Sequence, residues 1–324
     1  MTIVSNKQIH SPIRIGVVGV GFLGERHARI YSRMKNIELL GVMDIDLRRA
    51  KKIARICKTR PYEHLDDLLA DVDAVSVVTP TGSHLSVGSS AIEAQCHVLI
   101  EKPITTNVSE ADQLLDLAKK HQVILQVGHV ERFNAAVTAV EKILKNPRFI
   151  EVHRLGSYSF RSTDIDVVLD LMIHDIDIVL CLVKSKIKEI SAYGTPVLSQ
   201  KNDIANAKLI FENKCIVNLT ASRLTLQSMR KIRVFDEEKY VSIDYMKQEA
   251  VTYSKKYPQK TNPRTILDLI HRKKLNIRKN EPLQDELNSF VCSIQDGLEP
   301  LVSGLAGREA LAIAEEIICQ VKKY

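Results

Sequence analysis

The stretch Ile15-Gly16-Val17-Val18-Gly19-Val20-Gly21-Phe22-Leu23-Gly24 constrains this chain most, because it is an apolar run that breaks on three spaced glycines and then turns helical in pattern. Strand, tight turn and helix satisfy it. Gly19 makes the turn, Gly21 lets backbone approach a ligand with no Cβ in the way, and Gly24 lets helix and strand pack closely. Phe22 and Leu23 then open a helix whose N-terminus can face a pyrophosphate. A second apolar run, Leu39-Leu40-Gly41-Val42-Met43, ends at Asp44, 20 residues past Gly24, where a dinucleotide fold places its ribose-binding carboxylate. The spacing predicts a dinucleotide site, with a purely structural glycine turn as the alternative.

Downstream, helices at 47–57, 65–70 and 85–95 alternate with apolar runs at 73–80, 97–100 and 123–127. The runs end in turn-rich segments: Thr79-Pro80-Thr81-Gly82-Ser83-His84, Glu101-Lys102-Pro103 and Gly128-His129. Alternation of this kind predicts an α/β domain over residues 1–128, a doubly wound parallel sheet of the Rossmann type with ligands at the carboxyl ends of its strands. Past Gly128 come a helix at 134–144, a strand at 149–155 and a long apolar helix at 166–183. Alternating runs follow at 187–193, 204–211, 215–221, 231–235, 240–245 and 250–253, with closing helices at 283–295 and 307–322. Residues 129–324 are therefore expected to form an α+β domain with an open, mostly antiparallel sheet.

Composition removes several function classes. With 45% hydrophobic and 26% charged residues over 324 positions, the chain is neither disordered nor fibrous. Its first residues carry no apolar leader and no run reaches about 18 apolar residues, so a cytoplasmic protein without membrane insertion is expected. Six cysteines stand singly in apolar segments, as reduced core residues do. The net charge of +7 is local: between Lys255 and Lys279 there are nine Lys or Arg against one acid, Asp268, and the remainder is close to neutral. That insert reads as a solvated loop, a site for a phosphorylated substrate, or a nucleic-acid or membrane patch.

The helix at 166–183 carries chemistry. Asp170, His174 and Asp177 fall on one stripe of an otherwise apolar helix. A carboxylate and an imidazole in such a setting are costly unless paired or functional, and Asp170 one turn from His174 suits a general base held in orientation. The alternatives are a satisfied structural pair, or a metal set of His174, Asp177 and Cys181 that lacks a second ligand cluster; no metal is expected. Lys102, fixed by Pro103 at a strand's carboxyl end, is the candidate catalytic cation. His10, His27, His64, His97, His121 and His271 have no comparable context and receive no role.

Taken together and in order, the glycine loop, Thr79-Pro80-Thr81 with His84, Glu101-Lys102-Pro103, Gly128-His129 and Asp170-x-x-x-His174-x-x-Asp177 resemble the Gfo/Idh/MocA oxidoreductases across essentially the whole chain. The resemblance implies an N-terminal Rossmann domain, a second domain that packs into dimers or tetramers through its open sheet, and sugars, cyclitols or nucleotide sugars as substrates. It maps cofactor contacts to Gly19, Gly21, Phe22, Leu23, Gly24, Asp44, Thr79, Pro80, Thr81, His84, Glu101 and Lys102, and catalysis to Lys102, Asp170 and His174. Where the family commonly has glycines before the catalytic helix, this chain has Asp164-Ile165-Asp166. With His129-Val130-Glu131-Arg132-Phe133-Asn134, that departure resembles the branch oxidising the C3 hydroxyl of UDP-N-acetylglucosamine, on a route to 3-amino sugars and lipid A, although Ala135 stands where a proline is usual.

Under this reading His174 takes the hydroxyl proton, Lys102 stabilises the alkoxide, and Arg161 contacts the polar or anionic part of the substrate. Part of the basic insert is expected to serve a pyrophosphate, and no nucleic acid is expected as partner. NAD is expected over NADP, since Asp44 repels a 2′-phosphate, with Arg48 and Arg49 as the counterweight. The rival readings are a dehydrogenase of a free polyol such as inositol or glucose, and a nicotinamide-sensing binding protein without turnover.

Overall fold

A computed structural model describes residues 12–158, 165–256 and 264–321, and the chain divides into two compact units, Met1–Val130 with Leu283–Leu311 and Glu131–Pro282 with Ala312–Tyr324. In the first, six parallel strands β1 (Ile13–Val18), β2 (Ile37–Met43), β3 (Arg60–Tyr62), β4 (Ala74–Val77), β5 (His97–Glu101) and β6 (Leu125–Gly128) stand in the order 3-2-1-4-5-6. Helices α1 (Phe22–Tyr31), α2 (Leu47–Cys57), α3 (Leu65–Asp71), α4 (His84–Glu93) and α5 (Val108–His121) connect them. Every residue of β4 and β5 is buried, which is why these strands read as unbroken apolar runs. Caps set the helix ends: the Asp46 side chain accepts from the N–H groups of Arg48 and Arg49 to start α2, and Asn107 accepts from Glu110 to start α5. Two elements are absent from the periodicity reading. β3 is three residues around Pro61, too short to show a period; α5 carries its signal in Asn107 and in Ala111, Leu114 and Ala118, its buried face.

The second unit holds α6 (Ala135–Glu141), β7 (Pro147–Leu155), a π-helical turn over Val168–Met172 that runs into α7 (Ile173–Val183), and β8 (Ile187–Thr195). Then come β9 (Ile204–Phe211), β10 (Ile216–Ser222), β11 (Met229–Asp236), β12 (Lys239–Asp244), β13 (Glu249–Lys255), α8 (Ile266–Leu269) and β14 (Ile270–Lys274). The strands form one sheet, β14-β13-β12-β11-β7-β10-β9-β8, antiparallel except for β7 beside β10. One face is core, built by Ile150, Val152, Val217, Leu219, Ile232 and Val234. On the other parity a cross-strand aromatic row runs through Phe149, Phe235, Tyr240 and Tyr253, with ring centroids 5.8, 4.9 and 4.6 Å apart in turn. The C-terminal helices are α9 (Pro282–Asp296) and α10 (Gly304–Val321); in α9, Leu287, Phe290 and Ile294 join the first unit's core with Ile15, Val17 and Tyr31.

The structure changes two expectations here. The helix of 166–183 does not run as one α-helix: its first part, which carries Asp170, is the π-turn, a form that recurs at functional sites. The basic stretch is not simply an inserted loop, since its described part builds α8 and β14. His271, Arg272, Lys273 and Lys274 lie exposed on that edge strand, and Lys274 Nζ is 2.7 Å from Glu249 Oε1. Charged side chains on an edge block pairing with a foreign strand. β14 is also four strands from β7, the strand on which α7 packs, a span of roughly 19 Å at about 4.8 Å per strand.

Candidate functional site

The first unit gathers its expected cofactor residues at the carboxyl ends of its strands, where the order reverses between β1 and β4. Gly19 has φ +84° and its N–H bonds the Met43 carbonyl at 2.8 Å; a Cβ there would stand 2.7 Å from the Val78 carbonyl oxygen. A Cβ on Gly24 would run into the Gly19 carbonyl, so that glycine serves helix–strand packing. A Cβ on Gly21 would meet nothing within 4 Å: the space above it is open, as a backbone-lined phosphate cradle requires. Phe22 is exposed beneath the Arg26 guanidinium, and Leu23 turns partly into the core. Asp44 is only 6% exposed and accepts from the N–H of Val20 at 2.9 Å, the N–H of Asp46 at 2.9 Å and Arg49 Nη1 at 3.2 Å. The fit to a dinucleotide rests on the open cradle and this fixed acid beside it.

The ends of β4 and β5 are tied to each other. His84 is buried, with Nε2 2.9 Å from the Thr79 carbonyl and Nδ1 2.9 Å from the Pro103 carbonyl, while Ser83 Oγ donates to Thr79 Oγ1 at 2.8 Å. Pro80 and Thr81 form the turn between them. Lys102 is half-buried, and the Glu101 carboxylate beside it is buried and lies 3.2 Å from His27 Nε2. His27, to which the sequence reading gives no role, is fully buried on α1; its spacing from Gly24, Ala28 and Tyr31 places it on the helix's inward face and was the available signal.

In the second unit Asp170 and His174 are both half-buried, one on the π-turn and one in the first turn of α7. The third member of the expected stripe is more deeply buried. Asp177 is buried, with Oδ1 3.4 Å from Arg132 Nη1, and burial, only partly offset by that arginine, pushes its carboxyl up to about 7. Asp175 is buried too and binds Arg154 through two contacts, Oδ2 to Nε at 2.6 Å and Oδ1 to Nη2 at 3.0 Å. Burial raises its carboxyl despite the arginine. Arg154 also reaches Glu131 at 3.2 Å and lies over the Tyr245 ring. The helix's surroundings are therefore not uniformly apolar. Arg154 shares strand parity with inward Ile150 and Val152, and that alternation could have exposed it.

The departure before the helix has a structural role. The Asp166 carboxylate accepts from the Val168 N–H at 3.0 Å and from Asn202 Nδ2 at 2.6 Å, while the Val167 N–H bonds the Asn202 carbonyl. Asp166 thus caps the π-turn and ties it to the β8–β9 loop. That loop is itself gathered on Asp203: burial would raise this carboxyl, but the N–H groups of Ser199, Val197 and Leu198 and the Arg223 guanidinium hold it well below the usual range. Arg161 lies outside the described residues. Among the described residues no three His, Cys, Asp or Glu gather as metal ligands.

Comparison with known proteins covers both units. A model described as oxidoreductase family, NAD-binding Rossmann fold, matches residues 13–129, and a GFO/IDH/MocA C-terminal domain model matches residues 146–241. UDP-N-acetylglucosamine 3-dehydrogenase of Acidithiobacillus ferrooxidans is 34% identical over 315 residues, 96% of this chain and 98% of that one. Its solved structure superposes with a TM-score of 0.89, covering 98% of this chain and 99% of the other. Myo-inositol 2-dehydrogenase of Thermotoga maritima is 23% identical over 93% of this chain and 94% of its own. At 20% identity, scyllo-inositol dehydrogenase of Lactobacillus casei with bound NAD(H) and scyllo-inositol shares the fold, with a TM-score of 0.79 over 96% and 97% of the two chains.

Proposed function

The chain belongs to the Gfo/Idh/MocA oxidoreductases, dehydrogenases of CH–OH groups with an NAD-binding Rossmann domain, and from that premise we propose that it oxidises C3 of UDP-N-acetylglucosamine to a ketone. The observation that carries this reading is the 34% identity to a UDP-N-acetylglucosamine 3-dehydrogenase, which extends through 96% of the chain and so includes the second unit. An inositol dehydrogenase matched over a similar length reaches 23%.

NAD supplies the acceptor for the hydride on C3, and the residues suited to hold it are Gly19, Gly21, Phe22, Leu23, Gly24, Asp44, Thr79, Pro80, Thr81, His84, Glu101 and Lys102. His174 takes the proton from the C3 hydroxyl oxygen, so the carbon–oxygen double bond forms as the hydride departs. Lys102 stabilises the negative charge that develops on that oxygen. Asp170 holds the His174 ring, and Arg161 contacts the anionic part of the substrate. The keto sugar is the kind of product an aminotransferase consumes on the way to a 3-amino sugar of lipid A.

A cytoplasmic homodimer or homotetramer belongs to the same proposal, supported by the half-exposed aromatic row of Phe149, Phe235, Tyr240 and Tyr253 on the sheet. Among the described residues no helix is long and apolar enough to cross a membrane. The test is a panel of UDP-sugars, free sugars and inositols, scored by reduced-nicotinamide absorbance. Highest kcat/KM on UDP-N-acetylglucosamine supports the assignment; faster turnover of inositol or free glucose overturns it.

A further inference from the structure

We propose that His27 is a positioning residue for Lys102, acting through Glu101; the inference rests on the reading of Lys102 as the group that meets the substrate oxygen. His27 is fully buried on α1, and its Nε2 stands 3.2 Å from Glu101 Oε1, a close contact that is not aligned as a hydrogen bond. The other carboxylate oxygen of Glu101 accepts from the Lys102 backbone N–H at 3.2 Å. Glu101 faces Gly128 across the β5–β6 pair, and a Cβ on Gly128 would come within 2.8 Å of the carboxylate, so β6 closes off that side. Beyond Lys102, the Pro103 carbonyl is held by His84 at 2.9 Å. Buried imidazoles therefore grip the chain on both sides of Lys102.

The chemistry explains what the grip accomplishes. A buried carboxylate is costly unless it is matched by donors or positive charge. With His27 in place, the ring and the Lys102 N–H supply that match. Without the ring, Oε1 of Glu101 loses that match, and a carboxylate that turns to find another donor releases the Lys102 N–H and with it the turn that carries the side chain. His27 thus keeps Glu101 oriented, and Glu101 in turn holds the Lys102 backbone. The pair lies within the first unit.

The test compares H27A and H27Q. H27A should lower kcat at least tenfold while the Kd for NADH, read by fluorescence titration, changes less than twofold. H27Q keeps an N–H within reach of Glu101 and should recover most of the rate. Amide hydrogen exchange at Lys102, measured without cofactor or substrate, should be faster in H27A and near wild type in H27Q. If the wild type oxidises no sugar, the proposed function fails, and the exchange data still decide whether His27 fixes this turn. Unchanged kcat and unchanged exchange in H27A overturn the inference. Equal loss in H27A and H27Q, accompanied by lower Tm and lost NADH binding, overturns it in favour of simple packing.

Discussion

The backbone N–H of Val20 donates to the Asp44 carboxylate at 2.9 Å, so the glycine turn and the acid at the end of β2 form one hydrogen-bonded unit. Asp44→Ala should then weaken NADH binding by at least about tenfold, near 1.4 kcal/mol, and narrow the preference for NAD over NADP. Arg49, 3.2 Å from the same carboxylate, should contribute less. Fluorescence titration with both reduced cofactors checks this. An unchanged NADH Kd in Asp44→Ala would show that the acid serves the turn alone.

Lys102→Met and His174→Ala should each lower turnover by about a hundredfold or more, the scale of a positioned acid–base group. NADH binding and thermal unfolding should stay near wild type. Near-normal turnover in either variant removes that residue from the proposed chemistry.

Asp166 caps the π-turn through the Val168 N–H, so Asp166→Ala should cost about 1 kcal/mol in urea unfolding. Asp166→Asn retains a side-chain oxygen for the same N–H and should recover most of that loss. Equal destabilisation by both variants would assign the effect to the charge and not to the cap.

Asp177 gives a pH signature. Its folded-state carboxyl is raised to about 7 by burial, against about 4 in an unfolded chain, so the native protein holds a proton that the unfolded chain releases. That contribution is complete below about pH 4 and is lost as pH rises through 7. Wild type should therefore lose stability relative to Asp177→Asn between pH 5 and pH 8 in paired urea titrations. A constant difference across that range would place the ionised carboxylate, paired with Arg132, in the native state throughout.

The exposed cations of β14 should matter for association more than for substrate affinity. Replacing Arg272 and Lys274 by Val should raise self-association in sedimentation experiments, since the edge loses its charge, and leave the KM for UDP-N-acetylglucosamine within about twofold. A several-fold rise in KM that shrinks with added salt would instead support a pyrophosphate role for this strand.

The amino-acid sequence by itself determined the parallel sheet, the glycine turn and the position of Asp44, because each depends on short-range rules: strand parity, helix period and glycine where a Cβ collides. The same rules marked Lys102 at a strand end and placed Asp170 and His174 in a helical segment. Only the tertiary structure decided which charges are matched inside. His27 meets Glu101 from another element, Arg154 reaches Asp175 from β7, and Arg132 meets Asp177 on α7. It also decided that Asp170 rides on a π-turn and that part of the basic stretch is a sheet edge. Local propensity has no term for these outcomes. A buried charge is stable only beside a partner, and the partner's arrival depends on how distant segments fold together.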